Sequence, residues 1–166
     1  YYDPATGQAV LNDWGQNGSA KLYLGGDGAA VTGLATIDGA RYYFDANSVM
    51  QTGWQTVDNG RYYFDTNGAA VSGWQQLGGQ KYYFGGDGYA LTDIQKIGDK
   101  EYFFDAMGAM QTGWQKAASG KLYYLQADKE GAALTGWYNE GNDRYYFHDA
   151  EAYALTGDHK IGDVTY

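Results

Sequence analysis

The 166-residue chain has 11 basic and 20 acidic side chains, and its net charge of −9 disfavours nucleic acid and anionic lipid because both are themselves negative. The absence of cysteine excludes disulfides and thiolate metal sites, and no apolar run reaches the roughly 18 residues that a membrane-spanning helix requires. With 26 glycines, 18 tyrosines and few long aliphatic residues, most of the core must come from aromatic rings.

A repeat of about 20 residues organises the sequence. Each copy begins with an anchor dipeptide, usually Gly-Trp, and successive anchors are 20 residues apart five times, then 23, then 21. All five tryptophans occupy this one phase, which is what a packing position requires. The anchors are Asp13-Trp14, Gly33-Leu34, Gly53-Trp54, Gly73-Trp74, Asp93-Ile94, Gly113-Trp114, Gly136-Trp137 and Gly157-Asp158. The copies predict one repeat domain over residues 1–166, in which each unit contacts only its neighbours.

The third copy illustrates the predicted local structure. Residues 53–57 and 61–65 have strand character, and residues 58–60, Asp-Asn-Gly, supply a turn that accepts positive φ. Strand alternation sends Tyr62 and Phe64 to one face and their neighbours to the other. No stretch shows a helical period of useful length. We therefore predict an all-β fold, a β-solenoid of about eight stacked β-hairpins with little helix.

No enzyme chemistry is predicted. A glycosidase needs one pair of carboxylates, whereas the aspartates here recur at turn and strand-end phases in several copies. The two histidines have no second metal ligand at a diagnostic spacing, so neither a metal nor a cofactor is expected. The recurring aspartates are Asp38, Asp45, Asp58, Asp65 and Asp105.

Two stretches identify a family. Residues 42–47, Tyr-Tyr-Phe-Asp-Ala-Asn, and residues 53–57, Gly-Trp-Gln-Thr-Val, resemble the cell-wall-binding and glucan-binding repeats of secreted Gram-positive proteins, most of all the glucan-binding domain of glucansucrases. This resemblance implies a stacked-hairpin solenoid that binds α-glucan such as dextran or isomaltooligosaccharides, outside the cell or at its surface. It also implies a catalytic barrel outside this chain. Because the chain begins inside a repeat, we expect a fragment of a larger secreted enzyme, and we expect it to be monomeric.

Choline-binding modules are the main alternative. They have the same repeat but place a tryptophan just before the Tyr-Tyr pair, and this ring completes an aromatic cage for quaternary ammonium. A cation at that position repels choline, so we favour α-glucan over choline or cell-wall binding. An inert spacer is the third alternative, and the similar repeats of clostridial toxins would also bind carbohydrate. The residues at the cage position are Arg41, Arg61, Lys81, Glu101, Leu122 and Arg144.

Two copies depart from the pattern in the same way. Tyr89 and Tyr153 replace the alanine or valine of other copies, and each precedes an anchor that lacks tryptophan. A lost indole beside a gained phenol ring predicts a concave site where a sugar ring can stack. The resemblance implies glutamine and lysine partners for the sugar hydroxyls. The predicted carbohydrate-binding residues are Tyr89, Gln95, Lys96 and Tyr102 in the first pocket and Tyr153, His159 and Lys160 in the second.

Overall fold

A computed structural model describes residues 7–157, 160–161 and 164–165. These residues are nearly all strand or turn, with a single 3-10 helix at Ala127–Lys129 among them. No helix in this part of the chain is long and apolar enough to cross a membrane. The strands are β1 (Asp13–Asn17), β2 (Ala20–Leu24), β3 (Gly33–Ile37), β4 (Ala40–Phe44), β5 (Gly53–Val57), β6 (Gly60–Phe64), β7 (Gly73–Leu77), β8 (Gln80–Phe84), β9 (Asp93–Ile97), β10 (Lys100–Phe104), β11 (Met110–Gln111), β12 (Gly113–Lys116), β13 (Leu122–Gln126), β14 (Ala132–Ala133), β15 (Gly136–Glu140), β16 (Asp143–Phe147), β17 (Lys160–Ile161) and β18 (Val164–Thr165).

Across the described residues, the strands form eight antiparallel hairpins, which we number 1 to 8 in chain order. The hairpins pair β1 with β2, β3 with β4, β5 with β6, β7 with β8, β9 with β10, β12 with β13, β15 with β16, and β17 with β18. The short strands β11 and β14 add a third strand to hairpins 5 and 6. The prediction of an all-β fold built from about eight hairpin repeats is confirmed. Both ends of the second strand of hairpin 3 differ from the prediction by one residue, because β6 begins at Gly60, which was predicted to lie in the turn, and ends at Phe64.

Several hairpin turns need residues that accept positive φ. Asp58 and Asn59 have φ values of 48° and 66°, and Gly78 and Gly79 have values of 58° and 81°. Two consecutive residues with positive φ form the two-residue turn whose twist matches the flanking strands. The Asx and glycine residues from which these turns were predicted are therefore the ones that adopt positive φ in the structure.

The core contains one side chain at or next to the end of the second strand in hairpins 1 to 7. Strand alternation buries this residue together with the ring two positions earlier, such as Phe64 and Tyr62 of hairpin 3, as the pattern predicts. These seven side chains are at most 2% exposed: Leu24, Phe44, Phe64, Phe84, Phe104, Leu125 and Phe147. Aromatic rings therefore provide the volume that aliphatic side chains supply in most cores.

The chain divides into two compact units, residues 1–75 with 84–90 and residues 76–83 with 91–166. The single-domain prediction for residues 1–166 stays a prediction. Within the first unit, the segment after each hairpin, here called its connector, bonds to the preceding hairpin: the backbone N–H groups of Met50 and Ala70 donate to the carbonyls of Lys21 and Arg41, both at 2.8 Å. In the second unit, Ala154 N–H donates to the Leu122 carbonyl at 2.7 Å. Neighbouring hairpins in each unit are thus joined by backbone hydrogen bonds.

The recurring aspartates shape the connectors. Oδ1 of Asp65 accepts the backbone N–H groups of Asn67 at 2.8 Å and Ala69 at 3.0 Å, and Asp45 and Asp105 make the same pair of bonds in their own connectors. These carboxylates therefore organise turns, which explains why they recur at one phase.

We expect Asp65→Ala to lower the free energy of unfolding by about 1–3 kcal/mol, because two backbone N–H groups lose their acceptor. Asp65→Asn is the matched control, since its amide oxygen still accepts both bonds. Chemical denaturation of the two variants and the parent measures the difference. Equal stability of the alanine and asparagine variants would contradict this role for the carboxylate.

Candidate aromatic and carbohydrate-binding sites

Trp14 and Trp114 pack between neighbouring hairpins, whereas Trp74 and Trp137 are more exposed. Trp14 lies edge-on to Tyr23 of its own hairpin at 5.2 Å and to Tyr42 of the next hairpin at 4.9 Å between ring centroids. Trp114 contacts Tyr145 of the following hairpin in the same way, also at 4.9 Å. Such edge-to-face pairs stabilise the contact beyond area burial alone. The shared phase of the tryptophans therefore reflects packing between neighbouring repeats, as the sequence predicts.

Cations of the same hairpin lie over three of the tryptophan rings. The Lys21 ammonium is 4.1 Å from the Trp14 centroid, and the guanidinium carbons of Arg61 and Arg144 are 3.7 Å and 3.8 Å from those of Trp54 and Trp137. In hairpin 3, Arg61 pairs with Thr56, two positions along β5 from Trp54, so the two side chains are diagonal cross-strand neighbours. These are cation–π contacts, and they place positive charge on a face of each tryptophan ring.

The two connector tyrosines occupy equivalent places. Tyr89 forms an isolated β-bridge with Tyr62 of hairpin 3, and Tyr153 forms one with Tyr123 of hairpin 6. The Tyr89 side chain is 38% exposed, and its ring meets Tyr62 edge-on at a centroid distance of 6.2 Å. Tyr89 therefore presents an exposed aromatic ring, which is the property that sugar stacking requires.

Tyr153 lies in a groove of about 400 Å³ that Ser119, Lys121, Leu122 and Thr156 also line. Its ring has two charged or polar neighbours: Lys121 Nζ is 3.7 Å from the centroid, and the His148 imidazole stacks parallel to it at 5.4 Å. The Tyr153 side chain is therefore less exposed than that of Tyr89.

An ion pair holds the lysine at Tyr153. Lys121 Nζ donates to Glu151 Oε2 at 2.9 Å. This hydrogen bond raises the pKa of Lys121 and lowers the pKa of Glu151. Of the other residues predicted for this pocket, His159 lies outside the described residues, as does the side chain of Lys160, whose backbone is in β17.

Three residues of the other predicted pocket lie together on hairpin 5. Gln95 is the register partner of Tyr102, and Lys96 that of Glu101. The Tyr102 ring, however, is only 8% exposed and packs in a core cluster with Phe104, so it is not a surface platform. The sequence did contain the signal for this burial, because Tyr102 has the inward phase of Tyr62. Gln95 uses its amide to donate to the Thr92 carbonyl at 2.7 Å, and sugar contacts of Gln95, Lys96 and Tyr102 stay predictions.

Glu101 is the one carboxylate at the cage position, and the prediction of site residues omitted it. Its Oε2 atom is buried and has no hydrogen-bond partner among the described residues. Burial raises the pKa of Glu101, repulsion by Glu151 adds to this effect, and Lys96 and Lys121 oppose it. The sequence shows that Glu101 is unusual at the cage position, but it does not show that its Oε2 atom is buried.

The choline-binding repeat family matches residues 31–72 and 91–134, which is over half of the chain. The chain belongs to this family. A putative cell wall binding repeat also matches residues 72–90 and 135–150. The predicted resemblance to cell-wall-binding repeats is thus confirmed. A search of curated protein sequences gives no significant match.

Solved structures show the same repeats. CbpJ from Streptococcus pneumoniae TIGR4 is 30% identical with a TM-score of 0.73, and the alignment covers 89% of this chain and 53% of CbpJ. Choline binding protein F from Streptococcus pneumoniae, in the presence of a peptidoglycan analogue, is 32% identical with a TM-score of 0.69, covering 85% of this chain and 51% of that protein. The chain therefore spans about half the length of these relatives. Alternansucrase in complex with isomaltononaose is 29% identical over 93% of this chain and 12% of its own, with a TM-score of 0.47, which is too low to support an inference.

We expect Glu101→Gln to stabilise the fold at pH 7 and to leave its stability unchanged near pH 3. Because the pKa of Glu101 is raised on folding, its contribution to stability is fully present below the unfolded pKa and is lost as pH rises through the folded pKa. The amide removes this loss because it never ionises. Thermal melts of both proteins at the two pH values test the expectation, and an equal shift in melting temperature at both would contradict it.

Proposed function

We propose that this chain is a non-catalytic α-glucan-binding module, which binds glucose units of a polymer such as dextran on exposed tyrosine rings. The observation that supports it most is the position of Lys21, Arg61 and Arg144 over three tryptophan rings. Family membership alone allows either choline or a saccharide as the ligand. The cationic side chains on the aromatic faces favour the saccharide.

A quaternary ammonium group needs an open aromatic face and no competing positive charge. In hairpin 3 the Arg61 guanidinium already lies 3.7 Å from the Trp54 centroid. Choline would have to displace a cation that is tethered to the same hairpin and then bind beside its charge, which costs free energy. A neutral glucose ring meets no such repulsion, and cationic side chains can donate hydrogen bonds to its hydroxyl groups.

Tyr89 and Tyr153 are the proposed stacking rings. Tyr89 is exposed, and Tyr153 lies in a groove large enough for a sugar ring, although Lys121 must move aside there. A single open site of this kind should have a dissociation constant on the order of 1 mM, because the sugar exchanges good hydrogen bonds with water for only a few with protein. Useful retention then requires several sites on one polymer. In the proposed setting the module is secreted or cell-surface-associated in a Gram-positive bacterium, and it tethers a glucansucrase to its glucan.

Choline or cell-wall binding is the second candidate, and the family match favours it. Trp114 is the place where it is most plausible chemically, because Leu122 occupies the cage position of that hairpin and no described cation lies over the ring. The Trp114 indole N–H donates to Glu140 at 2.9 Å, so a carboxylate is also close. Choline binding would therefore perturb Trp114 first.

We expect the parent chain to be retained on immobilised dextran and to elute with isomaltotriose but not with millimolar choline. The reason is that cations occupy three of the aromatic faces that choline would need. Elution volumes with each competitor, and with sodium chloride at equal ionic strength, provide the measurement. Elution by choline together with a change in Trp114 fluorescence would establish the second candidate. Absence of retention on dextran together with absence of choline binding would leave the spacer.

We expect Tyr89→Ala to weaken dextran retention without changing the melting temperature, because its ring is exposed and a lost stacking ring costs about 1–3 kcal/mol at that site. Tyr89→Phe keeps the ring and serves as the matched control. Trp54→Ala should instead lower stability, on the order of 3 kcal/mol, because Tyr63 and Phe84 pack against that indole. Affinity electrophoresis beside thermal melts separates the two effects. Parent-like retention of Tyr89→Ala would remove this residue from the site.

A further inference from the structure

A groove of about 370 Å³ lies in the second unit, where the repeat is irregular. The anchor spacing there rises from 20 to 23 residues, and the longer connector contains the 3-10 helix Ala127–Lys129 and the short strand β14. Ala132, Ala133 and Ala150 are among the small side chains that line the groove, so a ligand can approach the backbone closely.

Charged side chains of both signs surround these alanines. The lysines are Lys96, Lys100 and Lys129, and the carboxylates are Asp99, Glu101 and Asp149. The three positive and three negative groups balance, so the lining favours neither an anionic nor a cationic ligand. The same set offers both hydrogen-bond donors and acceptors. No aromatic side chain is among the described residues that line the groove, so a ligand there has no ring on which to stack.

Glu101 is a lining residue whose hydrogen bonding is incomplete. Its Oε2 atom is buried and has no donor among the described residues. A buried acceptor without a partner is uncommon in folded proteins, and a ligand hydroxyl in the groove reaches this carboxylate once the carboxyl group rotates toward it. Three of the other hairpins have arginine at this phase, Arg41, Arg61 and Arg144, so this acceptor is a departure specific to hairpin 5.

We propose that this groove is a second type of carbohydrate site, which holds a neutral sugar by hydrogen bonds to Glu101 and the surrounding lysines and not by stacking. Sugar hydroxyls both donate and accept, which matches a lining with both kinds of group and no net charge. The identification of the sugar as a glucose unit of α-glucan rests on the proposed function. The groove itself does not depend on Tyr89 or Tyr153, since neither residue lines it.

The test uses the full chain with Tyr89→Ala and Tyr153→Ala, so that the proposed stacking rings are absent. Titration with isomaltotriose is followed by amide chemical shifts, and the amides of Ala132, Ala133 and Ala150 should move. Glu101→Ala should weaken the affinity about tenfold, because a hydrogen bond to an ionised group is lost, and Glu101→Gln, which keeps an acceptor oxygen, should lose less. Ala150→Trp should abolish the response by filling the groove, whereas Ala106→Trp, an exposed alanine outside it, should not.

Control ligands distinguish failure of the groove proposal from failure of the proposed α-glucan function. Cellotriose tests other neutral sugars, and choline and glycerol 3-phosphate test charged ligands. If only the charged probes move the groove amides, or if no probe does so while the parent chain binds dextran, the groove proposal is overturned and the proposed function stands. If a neutral sugar binds the groove but the parent chain is not retained on dextran, the groove stands and the α-glucan function fails.

Discussion

Burial of one side chain near the end of the second strand, in hairpins 1 to 7, is the constraint on which the rest of this structure depends. A two-stranded hairpin has two faces and cannot enclose a phenylalanine such as Phe64 by itself, yet that side chain is only 1% exposed. The remaining cover must come from neighbouring repeats. Edge-to-face rings such as Trp14 and Tyr42, and backbone bonds from connector to preceding hairpin, are the contacts that supply it. Repetition is therefore a condition of stability for each hairpin.

Much of this architecture could be predicted from local pattern. The Asx and glycine residues of the turns, the alternation of Tyr62 and Phe64, and the recurrent turn aspartates depend on nearby residues, so the sequence shows them directly. The candidate site depends on contacts between separate segments. The position of Arg61 over Trp54 requires the hairpin register, and the unpartnered Glu101 oxygen depends on how connectors from other repeats cover hairpin 5. The burial of Tyr102 was predictable from its phase, although the sequence pattern also predicted this residue to bind sugar.

In this chain, the residues that define the family fold differ from those that we propose to select the ligand. The repeat family matches over half of the sequence, and the solved relatives from Streptococcus pneumoniae have the same hairpin fold. The fold depends on side chains that point inward, such as Phe44 and Phe64, whereas in our proposal the residue that precedes the Tyr-Tyr pair selects the ligand. Arginine at that position lies outside the core, and in hairpin 3 it covers a tryptophan face. The same scaffold can therefore serve chemically different ligands.

The longer connector of the sixth repeat shows where such a scaffold can acquire new properties. Of the three additional residues in this repeat, one lies in the turn between β12 and β13 and two lie between β13 and the next anchor, so the inward phase resumes unchanged at Phe147. An insertion of one residue within a strand would instead exchange the buried and exposed faces. Connectors are consequently the positions at which mutation can lengthen the chain at low cost to folding. Over evolutionary time, a repeat array of this kind can diversify its surface one connector at a time while every hairpin continues to fold.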